Sequence, residues 1–145
     1  MKVLIDADAC PVVDIAVTLC AKLEVSCILV CDTAHRMERP GAQTLVMDKG
    51  ADSADFALIP RIAPGDIVVT QDYGLAALAL VRGARVLDQN GRRYTDENID
   101  RLLAERALAK RIRHGGGRLR GPAKRTEAQN EAFDAALCAL LEEKQ

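Results

Sequence analysis

Apolar residues recur along this 145-residue chain with two alternating spacings. Short, nearly unbroken runs occur in KVLID (2–6), VSCILVC (25–31), QTLVM (43–47), PGDIVVTQ (64–71) and ARVLD (84–88). Their length and β-branched content predict strands, and continuous apolarity marks strands covered on both faces. Between them PVVDIAVTLCAKL (11–23), ADSADFALIPRI (51–62) and YGLAALALVRG (73–83) repeat apolar positions at helical spacing. Pro60 is expected to end or kink the second helix and Gly83 to close the third. Strands alternating with helices predict an α/β fold around a mainly parallel sheet of about five strands.

Beyond residue 88 the pattern changes. QNGRRY carries an Asn-Gly turn, a strong hairpin signal. Thr95 is placed to cap a long helix over 96–113, with acids in its first turn and bases in its last. HGGGRLRGPAK (114–124) reads as a glycine-rich basic loop, and Thr126 with Gln129 forms a capping box for a final amphipathic helix. The expected organisation is one domain over 1–145: an α/β core (1–95) and a helical extension (96–145).

Composition narrows the class. An apolar share of 49% with 28% charged residues is that of a globular protein, and no apolar run is long enough to span a bilayer. Asp6 and Asp8 fall where a signal peptide needs apolar residues, so a cytoplasmic protein without membrane contact is expected. Five cysteines at irregular spacings, with no C-x-x-C pair, read as buried thiols, and two histidines are too few for a Cys/His zinc site. The net charge of −1 hides an asymmetry. Residues 101–125 hold nine Lys or Arg against one acid, Glu105, leaving −9 on the other 120 residues. Lys110, Arg111, Arg113, Arg118, Arg120, Lys124 and Arg125 in this strap are suited to RNA or another polyanion, or simply form a solvated face. Aromatic residues are 3% of the chain, so such contacts would fall on the backbone rather than on stacked bases.

The acids supply the candidate chemistry. In α/β sheets ligands bind beyond the carboxyl ends of the strands, where strand order reverses. Asp6 and Asp8 end strand 1 at alternate positions, and Thr70 and Asp72 end strand 4 in the same way. Asp52 and Asp55 lie three apart, on one helical face. Carboxylates gathered from separate segments suit Mg²⁺ or Mn²⁺, which can activate water against a phosphodiester. Each acid also has a plain structural reading. Asp72 caps the helix that follows, and Asp52 and Asp55 complement a helix dipole. With Pro11 at the first helical position, however, the cap falls on Cys10, which leaves Asp8 without that role. His35 and Arg36 either line the pocket after strand 2 or serve loop solubility.

IDADACPVV, PGDIVVTQDYGLAALALVRGA, NGRRYTDENID and the late GGG, GP, Phe133 and Leu137 pattern resemble the YaiI/YqxD family of uncharacterised bacterial proteins, grouped with PIN-like nuclease folds. The resemblance runs over essentially the whole chain and implies a PIN-like three-layer fold with a C-terminal helical extension. It implies that Asp6 is the first metal-binding acid, that Asp72, with Thr70 beside it, is the acid after strand 4, and that Asp55 or Asp52 is the middle acid. Asp8 belongs to the DADACPV segment itself. PIN nucleases often carry a further acid after the next strand; Asp88 stands there, but its Asn-Gly neighbour points to a turn.

These readings lead to a divalent-metal-dependent phosphodiesterase or nuclease acting on RNA, in which Asp6, Asp8, Asp72 and one of Asp52 and Asp55 hold the metal and Thr70 supports it. A non-catalytic RNA- or protein-binding module is the alternative from another class. A haloacid-dehalogenase-like phosphatase, whose first strand also ends in D-x-D, ranks lower. It expects Thr or Val where Cys10 stands, and no cap-sized insertion is present.

Overall fold

A computed structural model describes residues 1–48, 57–116 and 124–143. Among the described residues six strands, β1 (Lys2–Asp6), β2 (Ser26–Asp32), β3 (Gln43–Met47), β4 (Ile67–Val69), β5 (Arg85–Leu87) and β6 (Arg93–Tyr94), form one sheet in the order β3-β2-β1-β4-β5-β6. All neighbours are parallel except β5 and β6. The sixth strand exceeds the expected five because β6 is a two-residue arm of the Asn-Gly hairpin, too short to register as an apolar run. Order reverses at the centre, where β1 is flanked by β2 on one side and β4 on the other.

Both faces are covered, which explains the unbroken apolar strands. Val3, Ile5 and Ala7 face α1 (Val13–Lys22) and α4 (Glu127–Glu142), packing with Val13, Ala16, Val17, Phe133 and Leu137. Leu4, Val30 and Val68 face the opposite layer, with Leu75, Ala76 and Ala79 of α2 (Tyr73–Val81) and Ile99 and Leu102 of α3 (Asp96–His114). Helix α4 opens with the expected capping box, Thr126 with Gln129, and Thr95 caps α3 as expected, with Asn98 completing a second box that the sequence reading did not include.

Two boundaries differ from the sequence reading. α1 begins at Val13, and Val12, at its N-cap, provides no side-chain cap. The delay comes from a turn over residues 7–10, in which Cys10 N–H donates to Ala7 O at 3.1 Å while Ala9 sits at φ +57°. Of the predicted helix over 51–62, residues 51–56 lie outside the described residues. Residues 57–58 are helical and run into a 3₁₀ turn, Ile59–Arg61, with Pro60 at its start.

Helix α4 is fastened to the β5 side of the sheet by two arginines, Arg85, buried, and Arg125, half-buried. Arg85 donates to Leu140 O and Gly65 O, both at 2.8 Å, and so satisfies a carbonyl in the last turn of α4. Arg125 binds Asn90 Oδ1, Gln89 O and Asn130 Oδ1, each at 2.7 Å, tying the start of α4 to the β5–β6 turn. Gly91 in that turn has φ +82°, and a Cβ there would sit 2.6 Å from Ala132 O. Helix α3 behaves differently. From Ala104 to Gly116 every residue but Ala109 is exposed, so its basic half projects from the body. Among the described residues no helix is long and apolar enough to cross a membrane.

Candidate functional site

The reversal between β1 and β4 brings Asp6 and Thr70 together, because the register Val3↔Ile67 through Ile5↔Val69 carries both strands to the same edge. Thr70 Oγ1 donates to Asp6 Oδ2 at 3.0 Å and accepts the Asp72 N–H, also at 3.0 Å. One hydroxyl therefore links the acid after β1 to the acid after β4. Thr70 is buried, while Asp6 and Asp72 keep partial access to solvent.

Several groups hold the β4 tip. Tyr94, buried, donates its hydroxyl to Thr70 O at 3.2 Å, and its ring meets Tyr73 edge-on with centroids 5.8 Å apart. Burial, reinforced by the charge of Asp88, pushes the Tyr94 phenol up, so it remains a donor. Gln71 Nε2 reaches across to Ala9 O at 3.1 Å and joins the β4 tip to the strained turn after β1. Cys10, in that turn, has its thiol pushed up by burial and by the charge of Asp6, against the opposing pull of the Val12 amide and Arg125. It is held as a neutral thiol.

Asp72 also serves as the N-cap of α2. Its Oδ1 accepts from Gly74 N at 2.8 Å and Leu75 N at 3.2 Å, so the plain capping role is realised. The same oxygen lies 3.5 Å from Arg106 Nη1, through which the basic helix α3 touches the acidic tip. Asp88 accepts from Asn90 N and Arg92 N at 2.8 and 2.9 Å, the turn role that its Asn-Gly neighbour implied.

Asp8 turns the other way, towards β2. Its two oxygens accept the Asp32 N–H at 3.1 and 3.2 Å. Asp32 Oδ1 in turn accepts from Ala34 N, His35 N and His35 Nδ1 at 2.8–2.9 Å. Hydrogen bonds and charge from His35, with the amides of His35 and Ala34, hold the Asp32 carboxyl below its ordinary range despite a desolvation contribution of opposite sign. Asp32 escaped the sequence reading because its neighbours read as loop. The parallel register Asp6↔Val30, continued by two residues, sets Asp8 opposite Asp32. The available signal was that two apolar runs, VLID and ILVCD, both end in aspartate.

Of the basic candidates, Lys110, Arg111 and Arg113 are exposed on the projecting half of α3, and Lys124 is exposed before α4. Arg125 is committed to the hairpin, as described above. Asp52, Asp55, Arg118 and Arg120 lie outside the described residues. A hollow of about 600 Å³ along α1, lined by Val17, Thr18, Ala21, Lys22, Arg39 and Pro40 among others, holds none of the strand-tip acids.

Comparison with known proteins places these residues in a family. The family model described as uncharacterised, YaiI/YqxD, matches residues 4–143. A UPF0178 protein of Exiguobacterium sibiricum is 54% identical over 144 residues, covering 99% of both chains. A UPF0178 protein of Ruminiclostridium cellulolyticum is 47% identical over 97% of this chain and 92% of its own length. One from Clostridium acetobutylicum is 43% identical, with 97% of each chain covered. No solved structure matches.

Proposed function

The chain belongs to the YaiI/YqxD family, and from that premise we propose that it is a divalent-metal-dependent phosphodiesterase that acts on RNA. The observation that carries the reading is the shared hydroxyl of Thr70, which holds the acids after β1 and β4 at the sheet's reversal point. This is the location at which α/β sheets bind ligands. The donors there are carboxylate and hydroxyl oxygens, a set that suits Mg²⁺ or Mn²⁺. Asp6 and Asp72 would hold the ion and Asp55 or Asp52 would complete the set, whereas Asp8 is turned to the Asp32 amide. Such an ion supplies Lewis-acid charge against a phosphodiester.

The protein's own groups have separate tasks. Thr70 orients Asp6 and fixes the backbone of Asp72. Arg106, at the edge of the site, is placed to receive a phosphate oxygen, and the exposed cations of α3 would draw the strand towards it.

The test is cleavage of single-stranded RNA with Mn²⁺ by the wild type and by an Asp6→Asn, Asp72→Asn double variant. Asparagine keeps the Oδ1 acceptor that caps α2, so the fold should be retained by circular dichroism. The expected result is loss of cleavage by about 100-fold or more; undiminished cleavage would end the proposal.

A second reading, an RNA-binding module without hydrolysis, is favoured by one observation. Asp72 Oδ1 already accepts from two amides and touches Arg106, and Asp88 is engaged in its turn. RNA binding that persists in a chelator, without cleavage products, selects that reading.

A further inference from the structure

The acids at the strand tips divide into two groups, and the second has a composition of its own. Asp8, Asp32 and His35 each offer a ligand atom, and these atoms all lie within 4.8 Å of one another. His35 Nδ1 stands 2.9 Å from Asp32 Oδ1 and 3.8 Å from Asp8 Oδ1. Atoms bound to one ion at 2.0–2.2 Å sit roughly 3–3.5 Å from each other, so the spacing already brackets that of a coordination shell.

Charge balance points the same way. Two carboxylates from neighbouring strands are forced together by the parallel register, and among the described residues neither pairs with a Lys or Arg. An imidazole offers at most one positive charge against them. Asp32 caps its own 3₁₀ turn and its amide holds Asp8, but neither of these bonds neutralises the two charges. With its proton moved to Nε2, His35 offers Nδ1 to an ion in place of the hydrogen bond to Asp32, and at 57% exposure it keeps open positions towards solvent.

We propose that Asp8, Asp32 and His35 form a binding site for a divalent transition ion, Mn²⁺, Fe²⁺ or Zn²⁺. Imidazole beside carboxylates favours these ions over Mg²⁺ and Ca²⁺, which prefer oxygen alone. Three protein ligands leave room for water or an oxyanion, such as a phosphate oxygen of a bound strand. The site lies on the β2 side of β1 and is separate from the Asp6, Thr70 and Asp72 group on the β4 side. It goes beyond the proposed activity, and its test involves no cleavage.

The chain has two histidines, so each ring can be followed individually by proton NMR. Substoichiometric Mn²⁺ added to the full chain should broaden the His35 ring signals before those of His114. Asp32→Asn preserves the Oδ1 acceptor of the turn, and His35→Gln alters an exposed ring, so both variants should fold. Each should weaken Mn²⁺ binding, measured by calorimetry, by about tenfold or more. Equal broadening of the two histidines, or unchanged affinity in both variants, would overturn the assignment. Broadening of His35 that persists in the Asp6→Asn, Asp72→Asn variant supports a separate site, whatever that variant does to RNA. Its disappearance there would place the ion at Asp6 and overturn the proposal.

Discussion

At the scale of single residues, the same side chain meets different demands according to its surroundings. Asp66 is buried before β4, where it accepts from the Ala63 amide and from both the amide and the ammonium of Lys2. Burial alone would raise its pKa, but the Lys2 ammonium and the two amides outweigh it and hold the carboxyl below its ordinary range. A depressed carboxyl contributes stability that is complete above the unfolded pKa and is lost as pH falls through the folded one. The expected outcome is a urea midpoint that falls for the wild type below about pH 4. Asp66→Asn should be less stable at neutral pH and show a shallower fall over that acidic interval. Of the strand-tip residues, the meeting of Asp6 with Thr70 and Asp72 was legible because functional residues gather where strand order reverses. Alternation along β1 set Asp6 and Asp8 on one side, whereas the structure turns Asp8 towards β2 instead. The partnership of Asp8 with Asp32 was not legible, because it depends on the register between β1 and β2, which lies 24 residues away in the chain. Local pattern carries no information about that register.

Elements show where sequence signals are strong and where they stop. The five apolar runs and the helices over 73–83, 96–113 and 126–144 were readable because burial on two faces, helix caps and glycine stops act over a few residues. The start of α1 was misplaced by two residues, since Pro11 suggested a first helical position while the strained Ala9 turn postpones it. Tertiary approach decides the role of Gly91. The Asn-Gly pair predicts the hairpin, but only packing against α4 makes the lack of a side chain essential, with Ala132 O 2.6 Å from where a Cβ would stand. Gly41, at φ +85°, has open space around the same position. Gly41→Ala should therefore cost only the left-handed backbone, about 1 kcal/mol. Gly91→Ala adds the clash and should cost about 2–4 kcal/mol. Chemical denaturation of the two variants separates backbone strain from steric exclusion, and equal losses would mean that α4 yields at Ala132 without penalty.

For the whole molecule, the asymmetry of charge becomes an asymmetry of shape. The acids cluster on a body whose strand tips carry Asp6, Asp8, Asp32 and Asp72, whereas the basic half of α3 stands away from it. Held so close to acids, cations would ordinarily fold back on them, yet Arg106 is the one member of the strap on α3 that touches a strand-tip acid among the described residues. Lys110, Arg111 and Arg113 stay solvated. A polyanion meeting this helix would release counterions from its backbone, and the dependence of affinity on salt measures how many. With single-stranded RNA each lost contact reduces the slope of log K against log salt by about 0.7. Changing Lys110, Arg111 and Arg113 together to alanine should therefore flatten the slope by about 2 and weaken binding at low salt, without altering the melting temperature. Arg125→Ala supplies the contrast. Its guanidinium fastens α4 to the β5–β6 turn, so that change should lower the melting temperature and leave the salt slope nearly intact. If the triple variant kept the wild-type slope, the projecting helix would be a solvated face, and the attraction for a strand would have to arise elsewhere on the molecule.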